Sequence, residues 1–186
     1  MTDAFQIRSL NDADPSIMAA AFNSIGWVKP VAQFQGYLAE QATGTRVCLV
    51  ATVNDHFAGY VTVNWSPTYA GFAELKIPEI QDLNVLPAFR RREIGTQLLD
   101  RAEAEIVLRS DVVGIGVGLH PGYNDAQKLY GKRGYIPDGR GITYRDRYLR
   151  EGEHVVLDDD LVLHLTKRIP SRTNKSGRGP ELIRKS

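Results

Sequence analysis

The sequence predicts an α/β chain in which helices pack against a mixed β-sheet. Two observations carry that expectation. Runs of β-branched and aromatic residues alternate along the chain with segments whose apolar residues recur at helical spacing. Residues 79–119 also read as strand, helix and strand in succession, the composition of a βαβ unit, which crosses over right-handed.

The elements follow in order. "FQIRSL" reads as a short strand. "DADPSIMAAAFNSIG" and "PVAQFQGYLAEQATG" read as helices, each closed by a glycine. "RVCLVATVNDHFAGYVTVNWS" reads as two strands joined by a turn around Asn54–Gly59. "EIQDLNVLP" is a strand. In "RREIGTQLLDRAEAEIVLRS", Ile94, Leu98, Ala102 and Ile106 recur on one helical face. "VVGIGVGL" is a strand, "NDAQKLYGKRGY" a short helix ended by Gly134, and "LVLHLTKRI" a last strand. No internal repeat appears. Residues 1–169 are expected to form one domain, and 170–186 a basic, disordered tail.

The 186 residues suffice for a buried core. No run of apolar residues is long enough to span a membrane. The N-terminus lacks the charged-then-apolar pattern of a signal peptide. The one cysteine allows no internal disulfide, so a reducing, cytoplasmic setting is expected. Net charge is +1, but the tail holds five of the 23 basic residues and one of the 22 acidic ones. The body keeps 18 bases against 21 acids, a poor lure for nucleic acid. The four histidines show no metal-ligand spacing, and no metal is expected. Cys48 reads as a buried strand residue rather than a nucleophile.

The stretch "DLNVLPAFRRREIGTQLL" sets the functional question. Three arginines, Arg90, Arg91 and Arg92, stand side by side at the mouth of a helix. Like charges repel, and the positive end of the helix dipole adds to the repulsion, so an anion is expected there. The free N–H groups of the first turn, at Ile94, Gly95 and Thr96, would bind it together with the arginines. Gly95 would let the ligand approach the backbone.

This segment resembles motif A of the GNAT superfamily of acyl-CoA-dependent N-acetyltransferases, matching at Val85, Pro87, Arg90 and Gly95. Glu93 departs from it, standing where the family has its first glycine. "AQKLYGKRGY" resembles motif B at Ala126, Tyr130, Gly134 and Tyr135. Here Tyr123 replaces the usual asparagine, with Asn124 one place later. The resemblance covers residues 79–136. It implies a mixed, mostly antiparallel twisted sheet flanked by helices, with a central strand pair that splays to admit a thioester. It also implies acetyl-CoA as acyl donor, a small-molecule or protein amine as acceptor, and terminal strands of the kind that often pair in a homodimer.

The resemblance supplies roles as well. Tyr130 would protonate the departing thiolate. Glu79, on the strand before the arginine turn, would be the base, directly or through water, with Asp82 as fallback. The backbone at Leu83 and Val85 would hold the pantetheine arm. Asn124 and the arginine turn complete the cofactor contacts. Gly114, Gly116 and Gly118 share one strand face, which fits close backbone approach or a bend. Strand alternation places Glu79, Gln81, Leu83 and Val85 on one face and Ile80, Asp82 and Asn84 on the other. The loop "WSPTYAGFAELKIPE" would form an aromatic wall through Trp65, Tyr69 and Phe72, with Glu74 to attract an amine. Two competing readings stay open: an acyl-CoA-binding sensor without turnover, and a nucleotide-phosphate enzyme, for which the turn lacks a lysine.

Overall fold

The structure, a computed structural model, describes residues 4–170. The expected basic tail therefore lies, apart from Pro170, outside the described residues. The chain runs β1 (Phe5–Ser9), α1 (Asp14–Asn23), α2 (Val31–Ala42), β2 (Arg46–Val53), β3 (His56–Asn64), α3 (Ala70–Ala73) and β4 (Glu79–Val85). It continues with α4 (Ile94–Ile106), β5 (Val112–Gly118), α5 (Asn124–Lys132), β6 (Ile136–Tyr144), β7 (Arg147–Tyr148) and β8 (Leu161–Arg168). The strands form one eight-stranded sheet in the order β1-β2-β3-β4-β5-β8-β6-β7. Among the described residues only β4 and β5 pair in parallel, and every other pairing is antiparallel. This is the mixed, mostly antiparallel sheet with flanking helices that the sequence predicts. Among the described residues no helix is long and apolar enough to cross a membrane.

Hydrophobic burial fixes both faces. On one, Ile94, Leu98, Ala102 and Ile106 of α4 are buried with Val61, Val63, Ile80, Val113, Ile115 and Val117 of the sheet. On the other, Met18 and Phe22 of α1 and Phe34 of α2 pack on Cys48, Val50, Phe57 and Tyr60. A third, smaller cluster of Tyr69, Phe72 and Ile77 seats the β3–β4 connection, with Val112 and Tyr148 beside it. The hairpin β2–β3 turns more tightly than its composition suggests. Asn54 and Asp55 both adopt positive φ, 49° and 64°, and β3 already begins at His56.

The strand β4 departs from simple alternation. Asp82 has φ 54°, and the register with β3 shifts between Tyr60 and Thr62. Thr62 faces Gln81, but Tyr60 faces Asn84, so β4 carries one extra residue there. The bulge moves every later side chain to the opposite face. Ile80, Leu83 and Val85 all pack on the α4 side. Gln81 and Asp82 turn the other way, toward Arg46 and Tyr37. The expected grouping of Glu79 with Leu83 and Val85, and of Asp82 with Ile80, is corrected accordingly.

Candidate active site

The bulge opens the sheet. β4 and β5 pair only at Glu79–Gly114 and Ile80–Ile115, and beyond Ile80 the two strands part. The remainder of β4 keeps β3 as its neighbour, through Asn84–Tyr60 and Val85–Gly59. On the β5 side, the backbone of residues 82–85 makes no ladder contact. An extended amide chain entering the cleft would find hydrogen-bonding groups there. Leu83 and Val85, the predicted backbone contacts, lie on this segment, with their side chains half-buried against the α4 core.

At the end of β4 the chain turns through a 3-10 segment, Pro87–Phe89, into α4. The first helical hydrogen bond is Gln97 N–H to Glu93 C=O at 3.0 Å, and no side chain caps the helix. The N–H groups of Ile94, Gly95 and Thr96 thus precede the helical ladder. The Ile94 side chain is buried, so only its backbone belongs to the turn. A Cβ on Gly95 would lie 3.7 Å from Val85 Cγ2, an ordinary contact. Arg91 and Glu93 hold positive φ, 59° and 60°, and both side chains are exposed. Glu93, which occupies the family's glycine position, thus keeps the left-handed backbone that glycine favours and turns its carboxylate to solvent.

The three arginines diverge. Arg90 donates from Nε to Val85 C=O at 3.2 Å, and its guanidinium lies 5.5 Å from the Trp27 ring. Arg92 lies 5.8 Å from the Phe89 ring. All three guanidinium-bearing residues are exposed, so the electropositive turn faces solvent at the cleft end.

Glu79 stands at the point where the strands part. It is buried, and Gln81 Nε2 donates to its Oε2 at 2.7 Å. Gln81 in turn accepts from Arg46, which also donates to Thr62 and pairs with Glu40. Burial pushes the Glu79 carboxyl up to about 7, against the lowering influence of the Gln81 amide. Asp82, the fallback base, is already engaged by the Tyr37 hydroxyl and by Lys29 at 3.7 Å.

Tyr130 lies on α5, 5% exposed, in the core cluster beneath the sheet and 5.9 Å from the Tyr135 ring. Burial raises its phenol well above the ordinary value. Asn124 begins α5 and is exposed. Tyr123, at the position of the family's asparagine, lays its ring over Gly118, where an added Cβ would come within 2.4 Å of it. The other glycines of β5 serve the same face. A Cβ on Gly114 would strike the Phe72 ring at 2.5 Å, and one on Gly116 would lie 3.0 Å from Val162 Cγ1. The glycines therefore make room for side chains rather than mark a bend.

The β3–β4 connection differs from its expected form. Tyr69 and Phe72 are buried against β5 and β8 rather than lining an open wall. Trp65 packs toward the α4 core with the Arg109 guanidinium 4.5 Å from its ring. Glu74, proposed to attract an amine, is paired with Arg140 at 2.8 Å. Sequence reasoning also passed over His164. It is 3% exposed, faces Gly116 in the β5–β8 register, and stacks on Tyr69 at 3.5 Å. Only the register, not the sequence spacing, brings it to the site.

The sequence profile described as "Acetyltransferase (GNAT) domain" matches residues 44–137. No curated protein sequence matches the chain. Solved structures share the fold at low identity. YncA of Salmonella typhimurium, solved with its cofactor acetyl-CoA, is 19% identical with a TM-score of 0.64, over 91% of this chain and 96% of that one. NAA60 of Arabidopsis thaliana, solved with a bisubstrate analogue, is 18% identical with a TM-score of 0.64, over 90% and 99%. The ribosomal-protein-alanine N-acetyltransferase of Brucella melitensis is 19% identical with a TM-score of 0.64, over 88% and 99%. With its profile match spanning half of the chain and both motifs, residues 79–136, the chain belongs to the GNAT acetyltransferase family and is an acyltransferase.

Proposed function

We propose that the protein transfers the acetyl group of acetyl-CoA to a primary amine by direct attack within the cleft between β4 and β5. One observation carries the reading: the parting of a parallel strand pair that leads straight to an uncapped helix N-terminus flanked by arginines. The residues present fit the donor. The α4 N–H groups and Arg90, Arg91 and Arg92 would face its pyrophosphate, and the β4 edge at Leu83 and Val85 its pantetheine amides. Gly95 leaves space for the approach, and Asn124, exposed at the start of α5, would complete the donor contacts. Bound there, acetyl-CoA supplies a thioester carbonyl activated for acyl transfer.

Glu79 acts as the base. A lysine-like amine, with a pKa of about 10.4, is mostly charged at neutral pH and must lose a proton before or during attack. A carboxylate held at about 7 is a stronger base than an ordinary one and is half ionised at neutrality. As the new C–N bond forms and the C–S bond breaks, Tyr130 gives its proton to the departing sulfur. Burial weakens the phenol as an acid, but it also raises the basicity of a thiolate forming in the same surroundings. The acceptor is a small-molecule or protein amine. Protein amino groups gain weight because structural relatives include a ribosomal-protein-alanine N-acetyltransferase.

Calorimetric titration with acetyl-CoA, with ATP as control, tests the donor assignment. Micromolar binding of acetyl-CoA alone supports it; equal or exclusive binding of ATP would move the turn to a nucleotide-phosphate role. Turnover against an amine panel then separates catalysis from an acyl-CoA-binding sensor of the same fold.

A further inference from the structure

The glycine face of β5 holds a second polar group aimed at the base. A Cβ built on Gly116 would lie 3.6 Å from Glu79 Oε1 and 3.6 Å from His164 Nδ1. The two atoms are therefore separated by no more than twice that distance, on either side of the Gly116 backbone, with Val162 Cγ1 closing the position at 3.0 Å. Glu79 Oε2 is engaged by Gln81, so Oε1 is the oxygen turned to this space. His164 Nδ1 is buried and has no hydrogen-bond partner among the described residues.

The rest of the imidazole is fixed. His164 Nε2 lies 3.0 Å from Thr143 Oγ1, whose own hydroxyl is directed to Val162 C=O at 3.5 Å. With the Thr143 hydroxyl donating to Val162 C=O, Thr143 Oγ1 accepts from Nε2–H and Nδ1 is left as an acceptor, which is the tautomer the inference takes. The ring is stacked on Tyr69 with 5° between planes, and the Phe72 edge meets it at 5.4 Å. A buried acceptor held this firmly needs a donor, because a lost hydrogen bond there costs the full desolvation of the group.

We infer that His164 is a positioning residue for the proton transfer, holding with Glu79 a water over Gly116. The inference rests on Glu79 being the base. A water reaches an acceptor at about 2.8 Å, so one molecule, or two at the upper limit of the span, links Oε1 to Nδ1. Buried waters make about three hydrogen bonds, and the third here would go to the incoming amine. The step balances without a co-reactant. The amine N–H bond breaks as its proton passes to the water oxygen, and a water proton passes to Glu79 Oε1. His164 keeps its Nε2 hydrogen throughout and acts only by accepting from the water. The carboxylates of Asp138 and Asp146 and the phenol of Tyr69 also face this region, and Tyr69 already donates to Asp138 at 2.6 Å.

Three variants of the full chain and one spectroscopic measurement test the inference. H164F keeps the stack on Tyr69 and removes the acceptor. G116A puts a methyl into the water's place. H164N returns an amide oxygen close to the Nδ1 position. Acetyl-CoA affinity, measured by calorimetry, should stay within about twofold in all three, which also confirms folding. H164F and G116A should lower kcat by about 10- to 100-fold, and H164N should recover most of it. Nitrogen NMR of histidine-labelled protein should show His164 as the Nε2–H tautomer, with an Nδ1 resonance that moves in G116A. Wild-type turnover by H164F and G116A, or a proton on Nδ1, would overturn the inference. Failure of the wild type to acetylate any amine would sink the catalytic reading instead. In that case an Nδ1 resonance unmoved in G116A would overturn the water link separately.

Discussion

Gln81 and Glu79 stand two residues apart on β4, and the Gln81 amide holds one carboxylate oxygen of Glu79 at 2.7 Å. The contact exists because both side chains precede the bulge at Asp82 and so share a face. It fixes the carboxylate at the parting of the strands, where an amine acceptor would meet the thioester. E79Q should lower kcat/KM by about 10²–10⁴-fold. In the wild type the rate should rise with pH through about 7, as the carboxyl ionises. That rise should be missing from E79Q. A rise that persists in E79Q would assign the base to another group.

The same carboxyl links stability to pH. Folding raises it from the ordinary 4.5 to about 7, so the folded chain holds this proton more tightly than the unfolded one. The stabilisation is complete below pH 4.5 and is lost as pH climbs through 7. Glutamine has no proton to lose. Between pH 4 and 8, E79Q should therefore gain on the wild type by on the order of 3 kcal/mol. Urea unfolding of both proteins at the two ends of that range gives the answer, and parallel behaviour would mean that Glu79 titrates as an ordinary carboxylate.

Tyr130 is both a core ring and the proposed acid, and the two roles separate in one substitution. Y130F keeps the packing against Tyr135 and removes only the hydroxyl. It should leave acetyl-CoA affinity unchanged and lower turnover by about 10²–10⁴-fold. A normal rate would leave Tyr130 as a packing residue alone.

The sequence made α4 legible because Ile94, Leu98, Ala102 and Ile106 repeat at helical spacing, and all four are buried as that spacing requires. The arginine turn was legible because its residues are contiguous. The bulge was not. Aspartate and asparagine both tolerate positive φ, so "EIQDLNV" offers Asp82 and Asn84 alike, and the one that adopts it reverses the faces of everything after it. His164 was hidden for a different reason. Its neighbours in the site, Gly116 and Thr143, reach it by strand pairing, and pairing register is a tertiary property. The aromatic loop misled because Tyr69 and Phe72 read equally well as exposed wall or buried plug. Gly114 opposite Phe72 and His164 stacked on Tyr69 decide for the plug.

The arginine turn yields the last prediction, a pair of opposite substitutions two residues apart. G95V adds bulk where the structure tolerates a Cβ, since the nearest atom would be Val85 Cγ2 at 3.7 Å. Fold stability should change by no more than the helical preference of valine over glycine, a few tenths of a kcal/mol. Acetyl-CoA affinity should fall at least about 100-fold, because the side chain projects where the phosphates approach the helix N-terminus. E93G acts the other way. Glycine takes φ 60° without the steric cost glutamate bears, and the change removes one negative charge beside the anion. Because the Glu93 carboxylate is exposed, the gain in affinity should be modest, roughly two- to fivefold at low ionic strength, shrinking as salt screens it. Calorimetry of both variants at two salt concentrations reads the outcome. Loss of affinity in E93G would mean that the carboxylate helps to hold the turn in its binding form, and unchanged affinity in G95V would move the pyrophosphate away from this helix.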